Sequence, residues 1–436
     1  MVVRRTRSSI TSLWKFFRTI MGRENITKKV RTLHIRNWTF GLVHGRSRFV
    51  FPEDGWEVEL VRDAIRMAGI EHLERDVMEA LRKSDPRPLM ALMLTRLAEL
   101  TTLYVHLPET EIFLAAVLKK TLEGQQDESH NGHLPLQRLE EVHLTSAWNY
   151  RKDWRARDNY ELRLDHLWPV LQLPSLRKVS LFDFEPLGAS ARFGNSTRTS
   201  GIKDLTIVHH NDSQLTAADA LALLAFPKAL TRLSIYLNDC NVPQEKPRQL
   251  SNADLWTNLR PHRNSLERLD FYRDCTACSP PLHSPANSYF ESLRAFTRLK
   301  SLCVQAEALL GGYCEDDLAP FRLKDTLPPN LESLTIYGDE GLSTNKTLGE
   351  QLQEVVRSAD FPRLNRVVLE TTSDGIDCYT YPAAPPHEEV ERVCRERGVQ
   401  FKTMKTSSLT RGGIGLRYYR YVKKKTRREM ISQTAK

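Results

Sequence analysis

Leu299-Lys300-Ser301-Leu302-Cys303-Val304 and Leu331-Glu332-Ser333-Leu334-Thr335-Ile336 place apolar residues at the same first, fourth and sixth positions. The same spacing opens at Val30 (VRTLHI), Leu100 (LTTLYV), Leu139 (LEEVHL), Leu176 (LRKVSL), Ile202 (IKDLTI), Leu230 (LTRLSI), Leu266 (LERLDF) and Leu364 (LNRVVL). Ten occurrences, 26 to 39 residues apart after a first gap of 70, define an internal repeat. The first gap is about twice the others and leaves room for a degenerate copy. In an extended backbone successive side chains alternate, so the fourth and sixth positions face one way and the fifth the other. One such strand cannot bury its apolar side, but neighbours stacked in a parallel sheet can.

Between the kernels the period changes from two to that of a helix. EIFLAAVLKKTLEG (111–124, closed by Gly124), AADALALLA (217–225), EQLQEVVRSA (350–359) and EEVERVCRERG (388–398) read as helices. Pro174, Pro227, Pro328 and Pro362 recur between helix and kernel, where a residue that cannot extend a helix marks the corner. Stretches rich in Gly, Pro, Ser and Asn at 185–200, 241–253, 275–288 and 371–386 read as loops on the edges. The whole resembles the leucine-rich repeat, with units longer than the usual ~20–29 residues. The fold it implies is an α/β leucine-rich-repeat solenoid, with a curved parallel sheet on the concave face and helices and loops on the convex face.

Charge is unevenly placed along the 436 residues. The chain carries 63 Lys and Arg against 54 Asp and Glu, a net of +9. Residues 1–36 hold ten bases and one acid, and residues 402–436 hold eleven and one, which leaves 42 bases and 52 acids between. An acidic body with basic ends does not support a nucleic-acid-binding core. No apolar run approaches the ~20 residues of a bilayer span, so no membrane partner is expected. Seven cysteines, an odd number, and no secretory leader point to free thiols in a reducing compartment, cytoplasmic or nuclear.

SLWKFFRTIMGRENITKKVRTLHIRNW (12–38) resembles the segment that follows the F-box in filamentous-fungal F-box and leucine-rich-repeat proteins. There a short helix leads into a first strand of the form V-R-x-L-x-I. LAELTTLYVHLP (97–108), the helix at 111–124 and LPLQRLEEVHLTSAW (134–148) follow the same order, so the resemblance covers roughly residues 12 to 402. It implies a substrate receptor of a ubiquitin ligase. The F-box itself, which docks on the Skp1 adaptor, is not recognisable, and a Skp1 contact is expected only if an upstream F-box is missing from the gene model. The expected organisation is a basic capping helix in 1–29 with Trp14, Phe17 and Ile20 buried, a solenoid in 30–402 and a flexible basic tail in 403–436. The Arg- and Ser-rich start also has the look of a mitochondrial presequence, against which its direct run into the first kernel speaks.

Each chemically suggestive cluster has a plainer reading. No phosphate-binding loop, nucleophile elbow or His-Glu-x-x-His motif occurs, so neither an enzyme nor a cofactor is expected. Cys275-x-x-Cys278 with His283 lacks a fourth ligand for zinc and reads as free cysteines in a loop. Glu315-Asp316-Asp317 reads as solvated surface, and His209-His210 as a polar cluster whose two rings diverge. The basic run Lys423-Lys424-Lys425-Thr426-Arg427-Arg428 fits a nuclear import signal, a nucleic-acid contact or a solvated tail equally.

What remains is the outward side of the kernels. The position after the last anchor holds Phe182, Tyr236, Tyr272 and Tyr337, with Glu370 last. The position before the middle anchor holds Lys178, Arg232, Arg268 and Arg366. Tyrosine and arginine are enriched at protein-binding hot spots. The expected function is a protein–protein interaction module that binds an unknown protein target through this face. A ubiquitin-independent scaffold is the alternative.

Overall fold

A computed structural model of the chain describes residues 10–35, 51, 55–107, 111–126, 135–146, 162–182, 184–185, 200–209, 217–238, 251–274, 289–310, 322–338, 346–374 and 387–408. Its strands in chain order are β1 (Thr32–Ile35), β2 (Thr102–Leu107), β3 (Glu141–Ser146), β4 (Leu162–Arg163), β5 (Lys178–Phe182), β6 (Phe184–Glu185), β7 (Asp204–His209), β8 (Arg232–Asn238), β9 (Arg268–Asp274), β10 (Ser301–Gln305), β11 (Ser333–Gly338), β12 (Arg366–Asp374) and β13 (Gln400–Ser408). All ten kernels are strands. With β13 they make an eleven-stranded parallel sheet that follows chain order, while β4 and β6 pair with each other. The fold is thus an α/β leucine-rich-repeat solenoid. β12 begins at the kernel and runs on to Asp374, into the expected loop, and the expected boundary at 402 falls inside β13.

Two features hold consecutive repeats in register. The middle and last anchors of every kernel are buried, from Leu33 and Ile35 to Val367 and Leu369. The second feature is a shared carbonyl. The C=O of Arg31 accepts N–H from both Thr101 and Thr102, and the carbonyls of Thr101, Glu140 and Arg177 do the same for the next repeat. So do those of Thr231, Glu267, Lys300 and Glu332, all at 2.8–3.2 Å. This position uses only backbone, which is why its side chain varies freely among Arg, Thr, Glu and Lys.

The chain divides into two compact units, residues 1–204 with 226–228, and residues 205–225 with 229–436. The first contains α1 (Ile10–Gly22), α2 (Glu24–Thr27), α3 (Trp56–Ala68), α4 (Glu74–Arg82), α5 (Arg87–Leu94), α6 (Ile112–Gln126) and α7 (Leu164–Leu171). β1 pairs directly with β2, Thr32 opposite Thr102, so the long first gap holds helices α3 to α5 and no further strand of the sheet between them. α1 packs on α5 and α3 through Trp14, Phe17 and Ile20, all buried. The Trp14 ring stacks on Phe17 at 5.4 Å and meets Phe51 edge-on at 5.5 Å. Gly69 ends α3 in the left-handed conformation at φ +66°, which glycine adopts without strain. Gly124 does not end α6, which continues to Gln126.

The second unit contains α8 (Ala217–Ala225), α9 (Asn252–Leu259), α10 (Ala306–Leu310), α11 (Leu323–Thr326), α12 (Lys346–Arg357) and α13 (Glu388–Glu396). α8 packs on α9, and α11, α12 and α13 pack in order. Pro328 and Pro362 turn the chain from α11 into β11 and from α12 into β12. Buried polar side chains tie neighbouring repeats together here. His262 is neutral: its Nδ1 accepts the Leu230 N–H at 3.2 Å and its Nε2 donates to the Leu224 carbonyl at 2.7 Å. Gln351 accepts the Leu323 N–H at 2.8 Å. Such groups cost stability if buried without partners, so they fix the stacking distance as well as fill it.

Candidate protein-interaction face

The side of the sheet opposite the anchors carries three residues per kernel. In the first unit the middle ones are aligned by register: His34 opposite Tyr104, Tyr104 opposite His143, and His143 opposite Ser180. Their rings form a ladder. His34 and Tyr104 stack at 4.2 Å and 6°, Tyr104 and His143 at 4.2 Å and 4°. His143 donates from Nε2 to Glu141 at 2.8 Å, and the Lys178 ammonium reaches the same Glu141 oxygen at 2.5 Å. Burial opposes the Glu141 charge, but the His143 and Lys178 hydrogen bonds outweigh it and hold its carboxyl down at about 2. Burial lowers the His143 pKa, with Glu141 offsetting only part of that, so the imidazole stays neutral. Lys178 is therefore half-buried and committed to Glu141, and Phe182 two residues on is buried.

In the second unit the middle position holds a carboxylate. Asp270 is 2% exposed, and three groups converge on it. Tyr236 donates to Oδ2 at 2.8 Å from β8, Tyr337 to Oδ1 at 2.9 Å from β11, and Arg268 to Oδ2 at 3.2 Å from its own strand. Burial raises the Asp270 pKa, and the hydrogen bonds from Tyr236 and Tyr337 with the Arg268 charge offset part of that rise. Burial and the neighbouring carboxylate push both phenols upward, so they remain protonated donors. Cys303, opposite Asp270 in register, lies buried in the same cluster, its thiol pushed up to about 11 by burial and by Asp270. Beyond it the Gln305 amide accepts from the Arg273 N–H at 2.8 Å and donates to the Arg273 carbonyl at 2.6 Å, continuing the ladder where the paired backbones end. Tyr272 meets Tyr337 edge-on at 5.4 Å and is buried.

The residues singled out from the sequence thus divide. Arg232, Arg268 and Arg366 are exposed at one level of the second unit's face, above the Asp270 cluster, and Tyr236 and Tyr337 are half-buried with their hydroxyls engaged. Tyr272 and Phe182 are buried, and Lys178 is ion-paired in the first unit. The middle position, with His34, Tyr104, His143, Asp270 and Cys303, was missed. An aspartate between the buried Leu269 and Phe271 is the signal that marked it. Cys275, Cys278, His283, Cys240, Glu315 to Asp317, His210 and the run at 423–428 lie outside the described residues, as does the His209 side chain.

Among the described residues no cluster of His, Cys, Asp and Glu could hold a metal ion, and no helix is long and apolar enough to cross a membrane. Cys303 and Cys394 are free thiols. The exposed large apolar residues Trp56, Met67 and Ile112 are scattered over α3 and α6, which is ordinary for a protein surface.

A search of the curated proteins returned no match. The family model of the leucine-rich repeat domain matches residues 2–397, and with ten kernels stacked as parallel strands the chain belongs to the leucine-rich-repeat family, whose domains are protein-interaction scaffolds.

Proposed function

We propose that the chain recognises a protein through the strand-side face of its second unit, as the substrate-recognition part of an F-box-type ubiquitin-ligase receptor. The observation that carries the interface is the row of exposed Arg232, Arg268 and Arg366 above the hydrogen-bonded Asp270 cluster. Arginine on a rigid base loses little freedom on binding, which is the condition for a hot spot. The receptor role rests on the resemblance of residues 12–38 and on the helix α1 that runs into the first strand. A ubiquitin-independent scaffold is the second reading, favoured by a family match that concerns the repeats alone. Cytoplasm or nucleus fits both, given the free thiols of Cys303 and Cys394.

Affinity purification of the full chain from cells, beside an Arg232→Glu/Arg366→Glu double variant, tests this. A small set of proteins should be lost from the variant while the chain's yield is unchanged. With the protein tagged at its own gene, so that any upstream F-box is translated with it, Skp1 retained with both forms supports the receptor, and a lost set without Skp1 supports the scaffold. An identical set of co-purifying proteins from both forms would refute the interface.

A further inference from the structure

β13 is the last strand of the sheet, and at nine residues it is long against the ~5–6 of a usual strand. It pairs with β12 throughout, from Arg366 opposite Gln400 to Asp374 opposite Ser408. The Gln400 N–H bonds the Asn365 carbonyl at 2.8 Å, so Gln400 and every second residue after it turn their backbone groups toward β12. The N–H and C=O groups of Phe401, Thr403, Lys405 and Ser407 then point the other way, where no described strand meets them. None of the nine residues is Gly or Pro, so this edge is an uninterrupted template for one more strand. The side-chain layer is open at the same place. Val367 and Leu369 are buried anchors on β12, whereas Phe401 and Thr403 opposite them are half-buried and exposed. The helix layer ends differently, on α13, whose exposed Glu389, Arg392 and Glu396 pair with one another. A solenoid end needs such a polar cap, and β13 does not give the sheet one.

We propose that the occupant of this edge is the chain's own segment 414–422 (IGLRYYRYV), returning antiparallel along β13 as a twelfth strand. Ile414, Tyr418, Tyr419, Tyr421 and Val422 are strand formers, and Thr410-Arg411-Gly412-Gly413 is a four-residue, glycine-bearing hairpin loop. Leu409 opposite Ile414 closes that loop. The register then sets Met404 opposite Tyr419, Thr403 opposite Arg420, Lys402 opposite Tyr421 and Phe401 opposite Val422. A slip of one residue would set Lys402 opposite Arg420 and Lys405 opposite Arg417, like charges that sheets disfavour. Charge therefore selects the register, while the backbone edge supplies the attraction. Val422 covers Phe401, and Tyr419 and Tyr421 join Met404 and Lys402 on the strand side. The short tether gives the segment an effective concentration of roughly millimolar, ahead of a second copy or a free peptide. This strand stands whether or not the face binds a protein.

The test is a pair of cysteines in the full chain, Met404→Cys/Tyr419→Cys, oxidised and read by mass spectrometry of the digested protein. Met404 turns its backbone groups toward β12, so with Tyr419 it forms a non-hydrogen-bonded pair whose Cα atoms stand ~4.5 Å apart, within disulfide reach. The 404–419 link should form about tenfold more readily than the link in Met404→Cys/Arg420→Cys, whose second residue falls on the opposite side of the sheet. Mixed isotopically heavy and light chains should show it within one chain. Equal or absent linkage would overturn the proposal, and a link between chains would make the occupant a second copy and overturn it too. Hydrogen exchange gives an independent reading. Arg420→Pro removes the N–H that bonds the Thr403 carbonyl, so the Phe401, Thr403 and Lys405 amides should exchange about tenfold faster. Unchanged exchange would count against the strand. Neither variant touches Arg232 or Arg366, so failure here and failure of the protein interface are read separately.

Discussion

Two carboxylates on the strand side of the sheet, one in each unit, have been driven in opposite directions. Glu141 in the first unit is half-buried, takes hydrogen bonds from an imidazole and an ammonium, and is held at about 2. Asp270 in the second is nearly sealed, takes two phenols and one guanidinium, and is raised above its ordinary value by burial. Each has one full cation in reach; what differs is the depth of burial and the distance to that cation, 2.5 Å for Lys178 and 3.2 Å for Arg268. The first arrangement consumes its cation, because Lys178 is tied to Glu141. The second gathers donors from Tyr236, Tyr337 and Arg268 onto one carboxylate beneath the exposed arginine row. The difference teaches that a repeat position is not a functional class. The fifth kernel position holds a stacked imidazole, His143, in one unit and a hydrogen-bonded carboxylate, Asp270, in the other.

The sharpest way to break the comparison is to remove the centre of each cluster. Asp270→Ala leaves two inward-leaning phenols without their acceptor and should cost about 2–4 kcal/mol in chemical denaturation. A loss below about 0.5 kcal/mol would mean that the cluster holds nothing together. In the first unit Tyr104→Ala removes two ring contacts and part of a buried surface, and about 2–3 kcal/mol is expected. An unchanged unfolding midpoint would show that the His34–Tyr104–His143 ladder is incidental.

The opposite shifts give opposite pH signatures. Glu141 is depressed, so its stabilisation is complete above its unfolded value near 4.5 and drains away as pH falls toward about 2. Glu141→Gln should therefore be most destabilising at neutral pH and approach the parent chain in acid. Asp270 is raised, so the native chain holds its proton more tightly than the unfolded one, and its contribution diminishes as pH rises from 3.8. Asp270→Asn should show its largest deficit in acid and a smaller one at neutral pH. Thermal melts of the two variants against pH check this, and parallel curves would contradict it. Smallest of all is the effect of Arg366→Ser on stability, expected within about 0.5 kcal/mol because no acid among the described residues pairs with it. A larger loss would make Arg366 a structural residue and remove it from the proposed row.

The repeat was legible because burial is periodic: an anchor at the fourth and sixth positions is dictated by the sheet itself, and all ten kernels became strands. β13 escaped because Gly398 and Thr403 stand where the first and last anchors would be, and among the described residues it has a neighbour on one side only. The long first gap suggested one more strand, yet amphipathic α3, α4 and α5 fill it while β1 pairs straight to β2. The site was only half legible. Alternation told which side Tyr272 and Phe182 face, but not that neighbours would bury them. Tyr337 reaches Asp270 across an intervening strand and 67 residues of sequence, a contact no local pattern encodes.

The central claim is that the strand side of the second unit is where a protein partner binds. A photo-reactive amino acid placed at Ser333, in the middle of the row, reports it directly, with Glu350 on the exposed part of α12 as the comparison site. Irradiation in cells should cross-link a discrete partner from position 333 and not from position 350. Cross-linking that favours position 350, or none from 333 while a partner still co-purifies, would contradict the account.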